Sequence, residues 1–156
     1  MYRRRPIILL LIAILISSCH QGIIFEETAE IPAGVWSQDH FLTFFFPVAD
    51  TIEPCNISLI IRNDARYEYS NLFLFINTVA PGGQTIRDTI EVRMADVSGK
   101  WYGKGIGGKY TLEVPFKTHV VFPQPGNYLI EIEQGMREVK LRHITDLGIK
   151  VKKMKL

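Results

Sequence analysis

The chain is poor in the residues that mark most chemistries. It has two cysteines and four histidines in 156 residues. Cys19 and Cys55 are too few for a disulfide framework or a paired-cysteine zinc site. His20, His40, His119 and His143 stand singly, with no two at metal-ligand spacing. No apolar run reaches the roughly 20 residues that a spanning helix needs. Charge of one sign is scarce as well, since 18 Lys and Arg against 16 Asp and Glu leave a formal +2. Nucleophile-elbow, zinc-protease and phosphate-loop motifs are absent. Any chain with 16 acids can bring two carboxylates together, so no pair is singled out for glycosidic chemistry. These absences predict a protein that is not an enzyme, with no catalytic residue, no metal and no cofactor.

What is present is a core and a leader. A hydrophobic fraction of 47% excludes a disordered chain, and 22% charged residues exclude a wholly membrane-embedded one. At about 150 residues per domain this is a single domain. Arg3, Arg4 and Arg5 precede the apolar run Ile7 to Ile16, and Ser17-Ser18-Cys19 follows, the three-part layout of a secretory signal. Ile16-Ser17-Ser18-Cys19 resembles a bacterial lipobox. That resemblance implies a diacylglyceryl group on the Cys19 sulfur, cleavage before Cys19 and acylation of the new amino group. An ordinary signal with a coincidental cysteine, or an uncleaved anchor, is the alternative. Three acyl chains make a stable anchor where one binds only marginally. Cleavage would remove three arginines and no acid, turning +2 into −1. A nucleic-acid partner then loses its electrostatic footing. Lipidation of Cys19 leaves Cys55 no second cysteine for a disulfide, and its setting beside Ile57 predicts a small buried apolar residue.

The body predicts an all-β fold. His20 to Pro32 mixes acids, Gly and Thr without periodicity and reads as a tether with a reach of roughly 20 Å. The expected division is a signal peptide over 1–18, a lipidated N-terminus and tether over 19–34, and one β-sandwich over 35–156. Seven strand-like runs follow: 41–46, 56–61, 71–79, 89–94, 110–116, 127–134 and 148–153. Period-two alternation between Gly, Pro and Asn punctuation predicts an antiparallel β-sandwich of Greek-key or jelly-roll type with seven or eight strands. The run Asn71 to Val79 is apolar on both faces and predicts a central strand. Trp36 and Phe41 are expected in the core. Gly126-Asn127-Tyr128 predicts a tyrosine corner, with the ring in the core and the hydroxyl on backbone. Gln134 to Thr145 is left as a helical turn or a crossover. The basic C-terminal stretch reads as a solvated strand face, with an anionic lipid or acidic partner as the alternative.

The least ordinary stretch is Ala95 to Gly108, glycine-rich and longer than a hairpin requires. Its candidate residues are Asp96, Lys100, Trp101 and Tyr102. Two readings stand: an exposed loop offering Trp101 and Tyr102 to a protein or a sugar, or a Trp101 that folds back to cap the sandwich.

Several segments occur in order: Asn71-Leu72-Phe73-Leu74-Phe75-Ile76, Met94-Ala95-Asp96 leading to Gly99-Lys100-Trp101-Tyr102-Gly103, then Gln134-Gly135-Met136-Arg137 and Ile144-Thr145-Asp146-Leu147-Gly148. Together with the lipobox they resemble the gliding motility lipoprotein GldH family of Bacteroidetes. The resemblance covers nearly the whole mature chain. It implies an outer-membrane lipoprotein held in the bilayer by acylated Cys19, a non-catalytic interaction module beside other envelope proteins of the gliding and secretion machinery. A carbohydrate-binding surface lipoprotein is the second reading, resting on Trp101 and Tyr102. The residue after Cys19 is His20 and no acid cluster follows until Glu26-Glu27, so the periplasmic and external faces both stay open. The family also occurs in non-gliding relatives, so motility of the source organism does not follow.

Overall fold

The computed structural model describes residues 22–49 and 51–154. The signal over 1–18 and the attachment reading at Cys19 lie outside the described residues. Strands form at β1 (Ile23–Glu30), β2 (Val35–Ser37), β3 (Leu42–Val48), β4 (Cys55–Asp64), β5 (Asn71–Val79), β6 (Thr85–Arg93), β7 (Lys104–Ile106), β8 (Lys109–Val120), β9 (Gly126–Gln134), β10 (Lys140–Arg142) and β11 (Ile144–Lys153). One sheet has the order β1-β11-β4-β8-β7, the other β3-β9-β5-β6, and β10 pairs with β2 as a small ribbon. Every pairing between strands is antiparallel. Counting only the eight strands of seven residues or more, the two sheets run 1-8-3-6 and 2-7-4-5. That is the strand order of a jelly roll, two Greek keys wrapped on each other.

Alternation explains the packing. Along β3, Leu42, Phe44, Phe46 and Val48 are buried while Thr43, Phe45 and Pro47 face out. Pro47 is tolerated because β3 is an edge strand, where a missing N–H breaks no ladder. β5 is central, between β9 and β6, and Leu72, Leu74 and Ile76 are wholly buried. Each such side chain contributes about 1.5–3 kcal/mol of burial. Cys55 is buried, with its thiol directed at the Glu53 carbonyl. Tyr128 is buried and its hydroxyl donates to the Gln124 carbonyl at 2.9 Å, so the tyrosine corner forms as expected.

Three sequence expectations are corrected. Ile23–Glu30, expected within the tether of 19–34, is an edge strand paired along β11, and Ile24, Phe25 and Ala29 pack on the core. The adjacent pair Glu26-Glu27 and an irregular register between Ile23 and Phe25 hide its alternation. The sandwich therefore begins at 23 rather than 35. Trp36 is fully buried as expected, but Phe41 is 47% exposed. It precedes β3 at a position that continues the outward row of Thr43 and Phe45. Segment 134–145 is neither helix nor long crossover: it is the end of β9, a short turn and β10. Among the described residues the one helical turn is Pro32–Gly34.

The registers sort the connections between two ends. Gly22, Met154 and the connections β3–β4, β5–β6 and β8–β9 lie at one. The segments 65–70, 94–103 and 135–139 lie at the other, hereafter the distal end.

Candidate functional site

The distal end is assembled from three segments that lack sheet partners for much of their length. Their backbone and side-chain polar groups must therefore be satisfied locally. In 94–103, the Asp96 carboxylate Oδ1 accepts from the Ser98 N–H at 2.8 Å, the Ser98 hydroxyl at 2.7 Å and the Lys100 N–H at 3.0 Å. Those bonds, with the Ser98 hydroxyl first, hold the carboxyl below its usual range. Gly99 takes the left-handed conformation the turn requires, at φ 82°. The turn closes with Ala95 bridged to Trp101. Asp96 is thus occupied as a turn-former, Lys100 is exposed on the turn, and Tyr102 is 52% exposed.

Trp101 is half-buried against the core. Its ring lies 6.3 Å from Tyr67 and 5.8 Å from Tyr110, centroid to centroid. The folded-back geometry is the one observed, and it removes Trp101 from the exposed pair that a sugar platform would need. Tyr67 continues the cluster to Tyr69 at 5.7 Å, and its hydroxyl donates to the Asn71 carbonyl at 2.8 Å. Burial, with lesser contributions from Tyr69 and Glu138, pushes the Tyr67 phenol well above its ordinary value. Tyr69 donates to Glu138 at 2.5 Å, and that bond likewise raises its own phenol.

Glu138 belongs to the third segment, which Gln134 clamps from within. The buried Gln134 amide accepts from the Met136 N–H at 2.8 Å and donates to the Glu138 carbonyl at 2.7 Å. Gly135 lets the turn pass close to Phe75, since a Cβ there would lie 3.0 Å from the ring. The clamp leaves Arg137 and Val139 in solvent. An open groove of about 510 Å³ runs between Tyr69, Phe73, Gly135, Met136 and Arg137. A second, of about 280 Å³, lies among Ser70, Asn71, Glu91, Arg93, Asp96 and Tyr102. Sequence reasoning missed Tyr67 and Tyr69, although the alternation Arg66-Tyr67-Glu68-Tyr69 just ahead of an apolar strand was a usable signal.

Among the described residues no group of three or more His, Cys, Asp and Glu is placed to hold a metal ion. His143 Nδ1 lies 3.0 Å from Asp64. Although burial alone would raise it, bonds from Arg66 and the nearby His143 bring Asp64 from 3.8 down to about 2. His143 itself sits at φ 71° immediately before β11, whose register against β4 shifts between Ile144 and Asp146, so the pair flanks a bulge.

A jelly-roll sandwich with a Tyr-, Met- and Arg-bearing loop face is the class that fold and site define. The model of the GldH lipoprotein family matches residues 23–151, and the chain belongs to that family. It is 33% identical over 147 residues to the gliding motility lipoprotein GldH homolog of Christiangramia forsetii, covering 90% of each chain. To the gliding motility lipoprotein GldH of Flavobacterium johnsoniae it is 33% identical over 151 residues, covering 92% of this chain and 93% of that one. Among solved structures, a carbohydrate-binding module specific for non-crystalline cellulose aligns at TM-score 0.46 and 10% identity, over 83% of this chain and 73% of that one. A likeness that loose says nothing about ligands. The protein is a gliding-motility-type lipoprotein of the cell envelope with a β-sandwich body.

Proposed function

We propose that this chain is an outer-membrane lipoprotein, acylated at Cys19, whose distal loop end is a non-catalytic docking surface for other proteins of the gliding and secretion machinery. One observation carries the reading. Two of the segments that carry the family resemblance, Ala95 to Gly103 and Gln134 to Arg137, are far apart in sequence yet meet at one end: Trp101 packs on Tyr67, Tyr67 on Tyr69, and Tyr69 lines a groove with Gly135, Met136 and Arg137. Each is locked from behind by its own hydrogen bonds, which pre-pays the ordering cost of binding. They leave Tyr102 and Arg137 outward, Met136 lines the groove beside Arg137, and Arg93 is exposed at the end of β6; these are residue types enriched at protein interfaces.

Two experiments test the two halves. Metabolic labelling with palmitate, compared between wild type and Cys19→Ala, checks the anchor: the label and the membrane partitioning must both disappear. Crosslinking in intact cells, with wild type against a Tyr102→Ala, Arg137→Ala double variant, checks the surface. A discrete protein adduct that the double variant loses supports it; an unchanged adduct pattern refutes it. Saturable glycan binding that depends on Trp101 would support the carbohydrate reading instead.

A further inference from the structure

Resting on the acylated Cys19 proposed above, we infer that the sandwich stands end-on, with the end opposite the distal loops seated in the headgroup layer of the bilayer. The described chain starts at Gly22, which lies at that end against Lys153. Two residues, His20 and Gln21, separate Gly22 from Cys19, and the three chain steps between them span at most about 11 Å when extended. With β1 paired from Ile23 onward, there is no longer tether to hold the domain away from its anchor.

The surface that this short lead brings to the membrane is suited to it. Ile52 is 84% exposed and Val121 55% exposed, and both lie on connections at this end. Connections 80–84 and 121–125 contain no charged residue. The third, 49–54, contains Asp50 and Glu53, and Glu53 is paired with Lys153 at 2.6 Å. The distal segments 65–70, 94–103 and 135–139 each carry charge. Pro54, Pro81, Pro123 and Pro125 stiffen the three lower connections, so apolar side chains are presented without a large ordering cost. Beneath them Phe122 and Tyr128 line an apolar crevice of about 270 Å³ between β6 and β8. It extends the apolar surface inward from Val121 and Ile86. Apolar side chains reach about 5–10 Å into the headgroup and acyl boundary in such a mode.

The test uses the acylated full-length protein in vesicles of phosphatidylethanolamine and phosphatidylglycerol with brominated acyl chains. Ile52→Cys, Val121→Cys, Val97→Cys and Ile106→Cys variants each receive an environment-sensitive fluorophore. All four positions are more than half exposed, and Cys55 is buried. Bromine is expected to quench labels at 52 and 121 several-fold more than those at 97 and 106. Equal quenching at all four, or stronger quenching at 97 and 106, in protein that floats with the vesicles overturns the end-on seating while leaving the anchor intact. Protein that carries no palmitate and does not float shows instead that the anchor reading has failed, and the seating falls with it.

Discussion

At one end of the sandwich Phe25, Phe122 and Tyr128 gather around Phe46, with ring centroids 5.6 to 5.9 Å from it and Phe122 4.8 Å from Tyr128. At the other, Tyr69, Tyr67, Trp101 and Tyr110 form a row with successive centroids 5.7 to 6.3 Å apart. The two plugs close the same kind of opening with different chemistry. The phenylalanine plug has a single polar tip, the Tyr128 hydroxyl, which is satisfied by the Gln124 carbonyl four residues back, and it sits under connections that are short of charge. The tyrosine and tryptophan plug carries polar tips, and these reach outward into a hydrogen-bonded loop network at Asn71 and Glu138. Aromatic residues with a polar handle suit a half-wet boundary, whereas bare rings suit a dry one. A sandwich with identical surroundings at both ends has no reason to divide its aromatics this way.

Mutations can break the comparison in a graded order. The largest effect is expected from Phe46→Ala, which empties a fully enclosed ring site shared by three aromatic neighbours. It should cost about 3–5 kcal/mol in urea unfolding. Trp101→Ala removes a larger side chain but one already half in solvent, so about 2 kcal/mol is expected, with the loss confined to the distal segments in hydrogen-exchange protection. If Trp101→Ala proves the costlier of the two, the distal plug is core rather than cap.

Gly148→Ala sharpens the account of β1. A Cβ at 148 would run into the Glu27 carbonyl and Thr28 on the neighbouring strand. Release of β1 from β11 would show as lost protection over 23–30 with the rest of the core intact. A variant with unchanged protection there would mean that the strand yields without detaching.

A smaller effect concerns pH. Asp64 ionises at about 2 in the fold, against 3.8 ordinarily. A lowered value contributes stability that is complete above 3.8 and disappears as pH falls through about 2. Because Arg66 is well exposed, screening reduces the contribution to about 1 kcal/mol. Asp64→Asn should therefore lose about that much at neutral pH and almost nothing near pH 2, read from paired denaturation curves. The smallest effect is expected from Tyr102→Ala, within about 0.5 kcal/mol of wild type, since its exposed ring supports nothing beneath it.

The strand runs were most legible where one face is buried and the other open, as β3 and β9 show residue by residue, and Asn71 to Val79 was legible as central because both its faces are apolar. The Gly-x-Tyr entry to β9 was equally readable, since a corner tyrosine bonds its own chain four residues back. β1 was hidden by two consecutive glutamates, and its strand character comes from pairing with β11, over a hundred residues later. Phe41 was misplaced because hydrophobicity alone does not say which side of the period-two row a residue takes. At the distal end the sequence offered Trp101 and Gln134 but not their roles. The cap depends on Tyr67 arriving from the 65–70 connection and Tyr110 from β8, long-range geometry that local spacing does not encode. The clamp is local, two and four residues from Gln134, but it depends on the amide being buried beneath the turn, which spacing does not show.

The central claim is that the two ends face different surroundings, lipid at one and protein at the other. It is tested most directly by placing a photoreactive amino acid at Ile52 in one strain and at Tyr102 in another, then irradiating living cells. The account predicts lipid adducts from position 52 and a discrete protein adduct from position 102. Protein adducts from 52 together with lipid adducts from 102 would contradict it.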